Sequence, residues 1–212
     1  MPMPVPTLIY RLMHIDNLDV CLQRGGMHAP NMTPQDGLEY RAIHNIEIQN
    51  RRHQRPIPCG PRGTIHDYVP FYFGPRSPML LQLHTGQVAG YDEGQTPLIY
   101  AVSMVEAVVH KGLGFAFSDG HGIAFFTDWY DDVADLDKVD WKAVYARQWN
   151  DTLDDPDRQR RKQAEFLVHS FLPWSLVTEV AVVNETMKER ALNIITSNGV
   201  LTPVTVRGQW YY

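Results

Sequence analysis

The chain has 212 residues and a net charge of −5, with 44% hydrophobic and 20% charged residues: enough apolar material for one sizeable core, and too little positive charge to coat a nucleic acid non-specifically. No apolar run approaches the ~20 residues that span a bilayer, and the opening Met1-Pro2-Met3-Pro4-Val5-Pro6 lacks the charged and apolar regions of a signal peptide. Two cysteines, Cys21 and Cys59, make no disulfide framework, which points to a reduced, cytoplasmic setting. Without an internal repeat or a low-complexity linker, one domain over residues 1–212 is the expectation.

Leu8 to Met13 is β-prone and apolar enough for a strand. Asp16 or Asn17 can cap a short helix carrying Leu18, Val20 and Leu22, which stops at Gly25-Gly26. Residues 28–44 read as irregular. Helical spacing over Ile46 to Arg52 ends at Pro56 and Pro58, and Pro56 to Gly63 is a loop. Tyr68 to Phe73 reads as a strand and Gly74 to Pro78 as a turn. A strand over Leu98 to Val102, a helix over Met104 to His110 and a short strand over Gly114 to Phe117 follow. From Phe125 to Asp157 the chain is aromatic and acidic with weak periodicity. Arg158 to Ala164 fits a helical turn or an extended approach. Glu165 to His169 and Glu179 to Val183 read as strands, Asn184 caps a helix with Met187, Ala191, Ile194 and Ile195 on one face, and Val204 to Arg207 is a last strand. Short strands mixed with short helices and long loops indicate an α+β fold.

The sequence carries no Gly-x-Gly-x-x-Gly after a strand, no P-loop and no nucleophile elbow. Its nine histidines are scattered, with no His-Glu-x-x-His and no Cys-x-x-Cys, so no metal is expected. Three constellations remain. His14-Ile15-Asp16-Asn17-Leu18 sits where a strand hands over to a helix, whose unpaired N–H groups suit a ligand. On a strand, Val69, Phe71 and Phe73 share one apolar face, while Tyr68, Pro70 and Tyr72 share the other, whose phenols suit stacking on a flat ring. Glu165 opens an apolar strand just after the basic run Arg158, Arg160, Arg161, Lys162. A second basic run is Arg51, Arg52, Arg55, Arg62, and Asp128 to Asp140 is an acidic stretch. A carboxylate, an aromatic ring and an arginine are what cleavage of a nicotinamide–ribose bond asks for. The carboxylate stabilises an oxocarbenium-like ribose, and the arginine binds pyrophosphate.

These pieces resemble the DarT family, the toxins of DarT–DarG toxin–antitoxin pairs. The segments that match, in order, are His14 to Leu18 with Gly25-Gly26, Ile48-Gln49-Asn50-Arg51-Arg52, His66 to Tyr72, Arg76-Ser77-Pro78-Met79-Leu80, Ser118-Asp119-Gly120, Gln163 to Val168 and Trp210-Tyr211-Tyr212. The resemblance implies a PARP-like ADP-ribosyltransferase fold with a central split antiparallel sheet. It implies a glycosyltransferase reaction, transfer of ADP-ribose from NAD to thymidine bases of single-stranded DNA, and a macrodomain antitoxin of the DarG kind as partner. By position it makes Glu165 the catalytic glutamate and Arg51 the second catalytic residue, with Arg52 an alternative one position away. His14, Ile15, Asp16 and Asn17 match the NAD-contacting segment together with Arg51 and Arg52, and Tyr72 the nicotinamide side. Asp119 to Ala164 would be the target-recognition loop, with His121, Arg158 and Arg161 as DNA contacts.

Arginine stays protonated and makes a poor proton acceptor, so Arg51 is expected to stabilise an activated thymine while its proton goes to Glu165, His121 or water. Two competing readings keep some of these residues: an NAD-dependent transferase acting on RNA or protein, and a non-enzymatic module that binds single-stranded nucleic acid through its basic clusters and aromatics.

Overall fold

The computed structural model describes residues 1–212. In chain order its elements are β1 (Leu8–His14), α1 (Asp16–Gln23), β2 (Gly26–His28), α2 (Ile46–Gln54), β3 (Tyr68–Tyr72), α3 (Pro78–His84), β4 (Leu98–Met104), α4 (Val105–His110), β5 (Phe115–Ser118), β6 (Trp129–Tyr130), α5 (Trp141–Val144), α6 (Arg158–Lys162), β7 (Glu165–His169), β8 (Phe171–Pro173), β9 (Glu179–Val182), α7 (Glu185–Ser197) and β10 (Val204–Val206). Eight strands form one sheet in the order β10-β9-β4-β1-β3-β7-β5-β6, and β2 pairs with β8 in a separate ribbon. Every pair is antiparallel except β9 with β10.

The sheet is split in the middle. β1 runs against β4 over seven residue pairs, from Leu8 opposite Met104 to His14 opposite Leu98. β3 runs against β7 over five, from Tyr68 opposite His169 to Tyr72 opposite Glu165. Between β1 and β3 only Tyr10 and Tyr72 face each other. Pro70 helps to keep the strands apart, because it has no N–H for a ladder there. Its carbonyl instead accepts a hydrogen bond from Arg11 Nη1 at 3.1 Å. The two half-sheets therefore meet at one point and diverge, leaving a cleft.

Both faces of the sheet are covered, so the central strands read as near-continuous apolar runs. Ile9, Met13, Ile99, Val69, Phe71, Phe73, Phe166 and Val168 belong to the larger core. Helix α7 adds Met187, Ala191 and Ile195 to it, four residues apart and so on one face. The opposite face carries Tyr10, Leu12, Tyr100 and Val102, packed with Leu80 and Leu83 of α3 and with Tyr211. The C-terminal aromatics close this second core: the Tyr211 hydroxyl donates to the Leu98 carbonyl at 3.0 Å, and the Arg76 guanidinium lies 4.3 Å above the Tyr212 ring.

The structure departs from the sequence expectations in several places. Neither Asp16 nor Asn17 caps α1. Ile15 is the N-cap, and the first-turn N–H of Asp16 is taken by His14 Nδ1 at 3.1 Å. Helix α3 follows the expected turn at Gly74 to Pro78, with Ser77 Oγ accepting from the Leu80 N–H at 3.2 Å and Pro78 in the first turn. The β2–β8 ribbon leaves no signal in the sequence, since its strands of three residues are too short to show a period. Arg158 to Lys162 is helical. The stretch 119–164, read as a loop, contributes Leu136, Val139, Trp141 and Val144 to the larger core. Tyr68 is fully buried and donates its hydroxyl to the Arg62 carbonyl at 2.7 Å, so its phenol is not wet.

Candidate active site

The cleft between the half-sheets measures about 730 Å³, within the usual range for sites that hold a small molecule. Strands β1 and β3 form its floor, α2 and residues 40–45 one wall, and Met79 with Gln82 of α3 another; His121, Gln159 and Glu165 close it.

Glu165 is the first residue of β7 and faces Tyr72 across the strand pair. It is only 2% exposed. An isolated buried carboxylate would be very costly, and this one is fully provided for. Oε1 accepts from Arg52 Nη1 at 2.9 Å and from the Gly122 N–H at 3.0 Å, and Oε2 accepts from Arg52 Nη2 at 2.7 Å. The Glu165 backbone N–H is held by Ser118 Oγ at 3.2 Å. Burial pushes the carboxyl pKa up, but the two-point guanidinium pair, the nearby His121 and the Gly122 amide outweigh it, so the group sits below the ordinary carboxylate value. Glycine at 122 suits this close approach, since a Cβ there would stand 3.0 Å from Glu165 Oε1 and 3.1 Å from Ile65 Cδ1, so that these side chains would have to give way by a few tenths of an ångström.

Arg52 is presented by α2, which begins at Asn45, whose side chain accepts from the Glu47 and Ile48 N–H groups. Neighbouring residues on a helix point about 100° apart, so only one of the arginine pair can enter the cleft. Arg52 does so and is buried. Arg51, expected to be the second catalytic residue, is exposed, and its one side-chain hydrogen bond goes to the Ile123 carbonyl, at 3.5 Å. The pairing with the glutamate thus falls to Arg52. Burial alone would lower its pKa, but Glu165 raises it, so Arg52 is permanently charged.

His121 lines the cleft. Burial and the charges of Arg52 and Arg51 lower its pKa, against an opposing pull from Glu165, so the imidazole is neutral near pH 7. The Tyr72 phenol lies 3.9 Å from Met79 Sδ, and burial and the Glu165 charge push it up to about 12. It too is uncharged.

Other expected residues lie elsewhere. Of His14, Ile15, Asp16 and Asn17, only Asn17 lines the cleft, and its amide is spent on the Arg41 backbone: Nδ2 donates to the Arg41 carbonyl at 2.9 Å and Oδ1 accepts from the Arg41 N–H at 2.6 Å. Asp16 pairs with Arg41 and Arg190. His14 is buried; its Nε2 has no hydrogen-bond partner and lies 3.6 Å from Glu93. The basic run before Glu165 is mostly neutralised by the acids read as a separate stretch. Arg160 pairs with Asp119 and Asp157, and Arg161, expected to contact DNA, pairs with Asp140, Asp155 and Asp157. Lys162 is buried. Arg158 carries no ion pair and lines a smaller hollow with Arg147 and Trp149, outside the cleft. The sequence reading missed Arg11, a lone charge in the apolar run Leu8 to Met13, whose position in such a run was the available signal. It also missed Gly122. No group of three or more His, Cys, Asp or Glu side chains is placed to hold a metal ion, and no helix is long and apolar enough to cross a membrane.

The lowered pKa has a measurable consequence. The folded value lies below the unfolded one, so the stabilisation from the pair is fully present above about pH 5 and is lost as pH falls through the folded value, below about pH 4. The stability difference between the native chain and Glu165→Gln, measured by urea unfolding, is expected to be flat above that range and to shrink on acidification. A difference that grew on acidification would contradict the assignment.

Known proteins resemble the chain over almost its whole length. A family model described as "ssDNA thymidine ADP-ribosyltransferase, DarT" matches residues 10–212. A DNA ADP-ribosyl transferase of Thermus sp. (strain 2.9) is 39% identical over 211 residues, spanning 99% of this chain and 98% of that protein. The solved structure of Thermus sp. 2.9 DarT in complex with ADP-ribosylated ssDNA superposes with a TM-score of 0.94 at 38% identity, covering 100% of this chain and 99% of that one. The complex of Thermus sp. 2.9 DarT with NAD+ gives 0.89 at 37% identity, covering 100% of both chains.

Proposed function

Because the chain belongs to the DarT family of single-stranded-DNA thymidine ADP-ribosyltransferases, we propose that its split-sheet cleft binds NAD with the ribose against Glu165, and that Arg52 and His121 complete the machinery. The chain is an NAD-dependent DNA ADP-ribosyltransferase. The observation that carries the assignment of roles is the Glu165 carboxylate, buried and ionised at the end of the cleft.

Three of the four lone-pair positions of that carboxylate are filled, and Oε2 keeps one open. A ribose hydroxyl is the natural donor to it. As the bond from C1′ to the nicotinamide nitrogen breaks, nicotinamide leaves with the electron pair and positive charge develops on the ribose. A fixed carboxylate in a dry site stabilises that charge without reorganising. In thymidine the only N–H of the base is at N3, because N1 carries the sugar. Attack on C1′ forms the N3–C1′ bond, and the N3 proton must leave.

Arg52 cannot take that proton, being charged, and Glu165 is a weak base with its pKa held down. His121, neutral and free of other ring hydrogen bonds, is the group suited to it. Arg52 positions the carboxylate and keeps it ionised. The neutral Tyr72 phenol is placed to pack on the nicotinamide ring. If His121 is the acceptor, His121→Asn lowers kcat by about 10²-fold or more and abolishes the acid limb of the pH profile. The sign follows from the lowered pKa: the native enzyme is active with His121 neutral and loses activity as pH falls through a value below about 6.5. An unchanged acid limb in the variant would assign the proton to another group.

Incubation with labelled NAD and single-stranded oligonucleotides of differing thymine content tests the whole reading. Label confined to thymine-bearing DNA is the expected result. Label on RNA or protein, or salt-sensitive binding without label, would overturn it. We infer that the working unit is the whole chain, 1–212, since the sheet draws strands from residue 8 through residue 206. A macrodomain antitoxin of the DarG kind is the partner this family membership implies, and the free thiols of Cys21 and Cys59 suit a reducing cytoplasm.

A further inference from the structure

Phe125 and Phe126 stand almost bare to solvent, 83% and 79% exposed, with their rings 5.2 Å apart and edge to face. Scattered exposed apolar residues are ordinary; two adjacent phenylalanines at this exposure are not. They are also not on a loose loop. On one side the Ala124 N–H donates to the His121 carbonyl at 2.9 Å, and the Ala124 carbonyl accepts from Arg55 Nη2 at 3.1 Å. On the other the Thr127 hydroxyl returns to the same His121 carbonyl at 2.7 Å, and the Asp128 N–H is held by Asp119 Oδ1 at 3.0 Å. The turn is pinned at both feet, and only the two rings project.

Their place matters. Phe125 follows Gly122 by three residues, and the Gly122 amide is the one bound to Glu165. The pair therefore rises directly from the segment that closes the reacting end of the cleft. Beside it lie Arg51, in the last turn of α2, and Arg55, the residue that ends that helix. Arg51 reaches the Ile123 carbonyl and Arg55 the Ala124 carbonyl, and neither has a carboxylate partner among the ion pairs. Exposed aromatic rings next to uncompensated guanidinium groups are what a single strand needs, rings for base faces and cations for phosphates.

We propose that Phe125 and Phe126 form a stacking platform for the bases flanking the acceptor thymine, with Arg51 and Arg55 holding the adjoining phosphates. The inference rests on the function proposed above and extends it to how the strand is held. Stacking on a ring tolerates any base, so the platform supplies affinity and registers the strand against Glu165, and base selection lies elsewhere. It also gives Arg51 a task outside the chemical step.

The test is binding and turnover on a fluorescent single-stranded oligonucleotide with one thymine. Each of Phe125→Ala and Phe126→Ala is expected to raise the DNA Kd and KM by about 5- to 150-fold, with KM for NAD unchanged. Phe125→Trp and Phe126→Trp are expected to restore most of the loss. An oligonucleotide abasic on both sides of the thymine should cost the native chain a similar factor and cost the double alanine variant little more. Arg51→Ala and Arg55→Ala should each reduce the slope of log K against log salt by about 0.7. Because the rings are exposed, these variants keep the fold, and thermal melting checks that. Unchanged DNA affinity in the double alanine variant would overturn the platform, as would loss of a protein partner's binding with DNA binding intact. Binding is read separately from transfer: a native chain that grips the strand through the phenylalanines but modifies no thymine refutes the proposed chemistry and leaves the platform standing.

Discussion

Arg52→Ala is expected to destabilise the fold by about 3–5 kcal/mol, whereas Arg51→Ala changes it by no more than about 0.5 kcal/mol. The two side chains are adjacent in sequence and identical in chemistry, so only their surroundings separate them. Arg52 provides two of the three hydrogen bonds to a carboxylate that is 2% exposed. Without it, Glu165 is a buried charge with one amide for company. Desolvation then wins over the remaining contacts and the carboxyl takes up a proton. Activity should therefore fall by about 10²-fold or more even in the fraction that stays folded, because a neutral carboxyl no longer opposes the ribose charge. Arg52→Lys should recover part of the stability and little of the activity, since an ammonium restores the charge but not the two-pronged grip. Urea unfolding and transfer assays on the three variants check this. An Arg51→Ala variant that lost as much stability as Arg52→Ala would reverse the assignment.

Glu165→Gln should lower the rate of transfer by about 10³-fold or more. The amide is nearly isosteric with the carboxylate and can still meet a ribose hydroxyl, so the change removes the charge, and with it one of the two hydrogen bonds from Arg52, while keeping the shape. Loss of a single preorganised group facing a developing charge costs about 10²–10³, and here the group is a full charge in a site closed to water. Binding of NAD should weaken much less than kcat, because ground-state contacts through the rest of the cleft remain. Glu165→Leu combined with Arg52→Met should be more stable than either single change, as no charge is then left unpaired, and just as inactive.

Much of the fold was legible where one face of an element is buried. Strands β1, β4, β7 and β9 and helix α7 announce themselves by apolar runs or by a Met187–Ala191–Ile195 spacing under an Asn184 cap. The split was not legible from periodicity. It comes from Pro70 and from the absence of pairing between β1 and β3, a property of two strands sixty residues apart. Helix α3 was hidden behind a turn signal, because Ser77-Pro78 begins a helix and ends a turn with the same residues. Glu165 stood out in the sequence only by its basic neighbourhood, and its catalytic assignment came from the resemblance. On its own it is a glutamate at a strand start, and its burial depends on Arg52, Gly122 and Ser118 arriving from three other segments. The choice between Arg51 and Arg52 depends on the helical phase of α2 relative to the cleft, which composition does not carry. The basic run before Glu165 misled for a related reason: Arg160 and Arg161 find their acids at Asp119, Asp140, Asp155 and Asp157, partners set by tertiary structure.

The most direct test of the central claim is the mass of a single-stranded oligonucleotide containing one thymine after incubation with NAD and either the native chain or a folded Glu165→Gln variant. The account predicts one ADP-ribose on the thymine with the native chain and no detectable adduct at matched time with the variant. An adduct formed by Glu165→Gln at a native rate would contradict it.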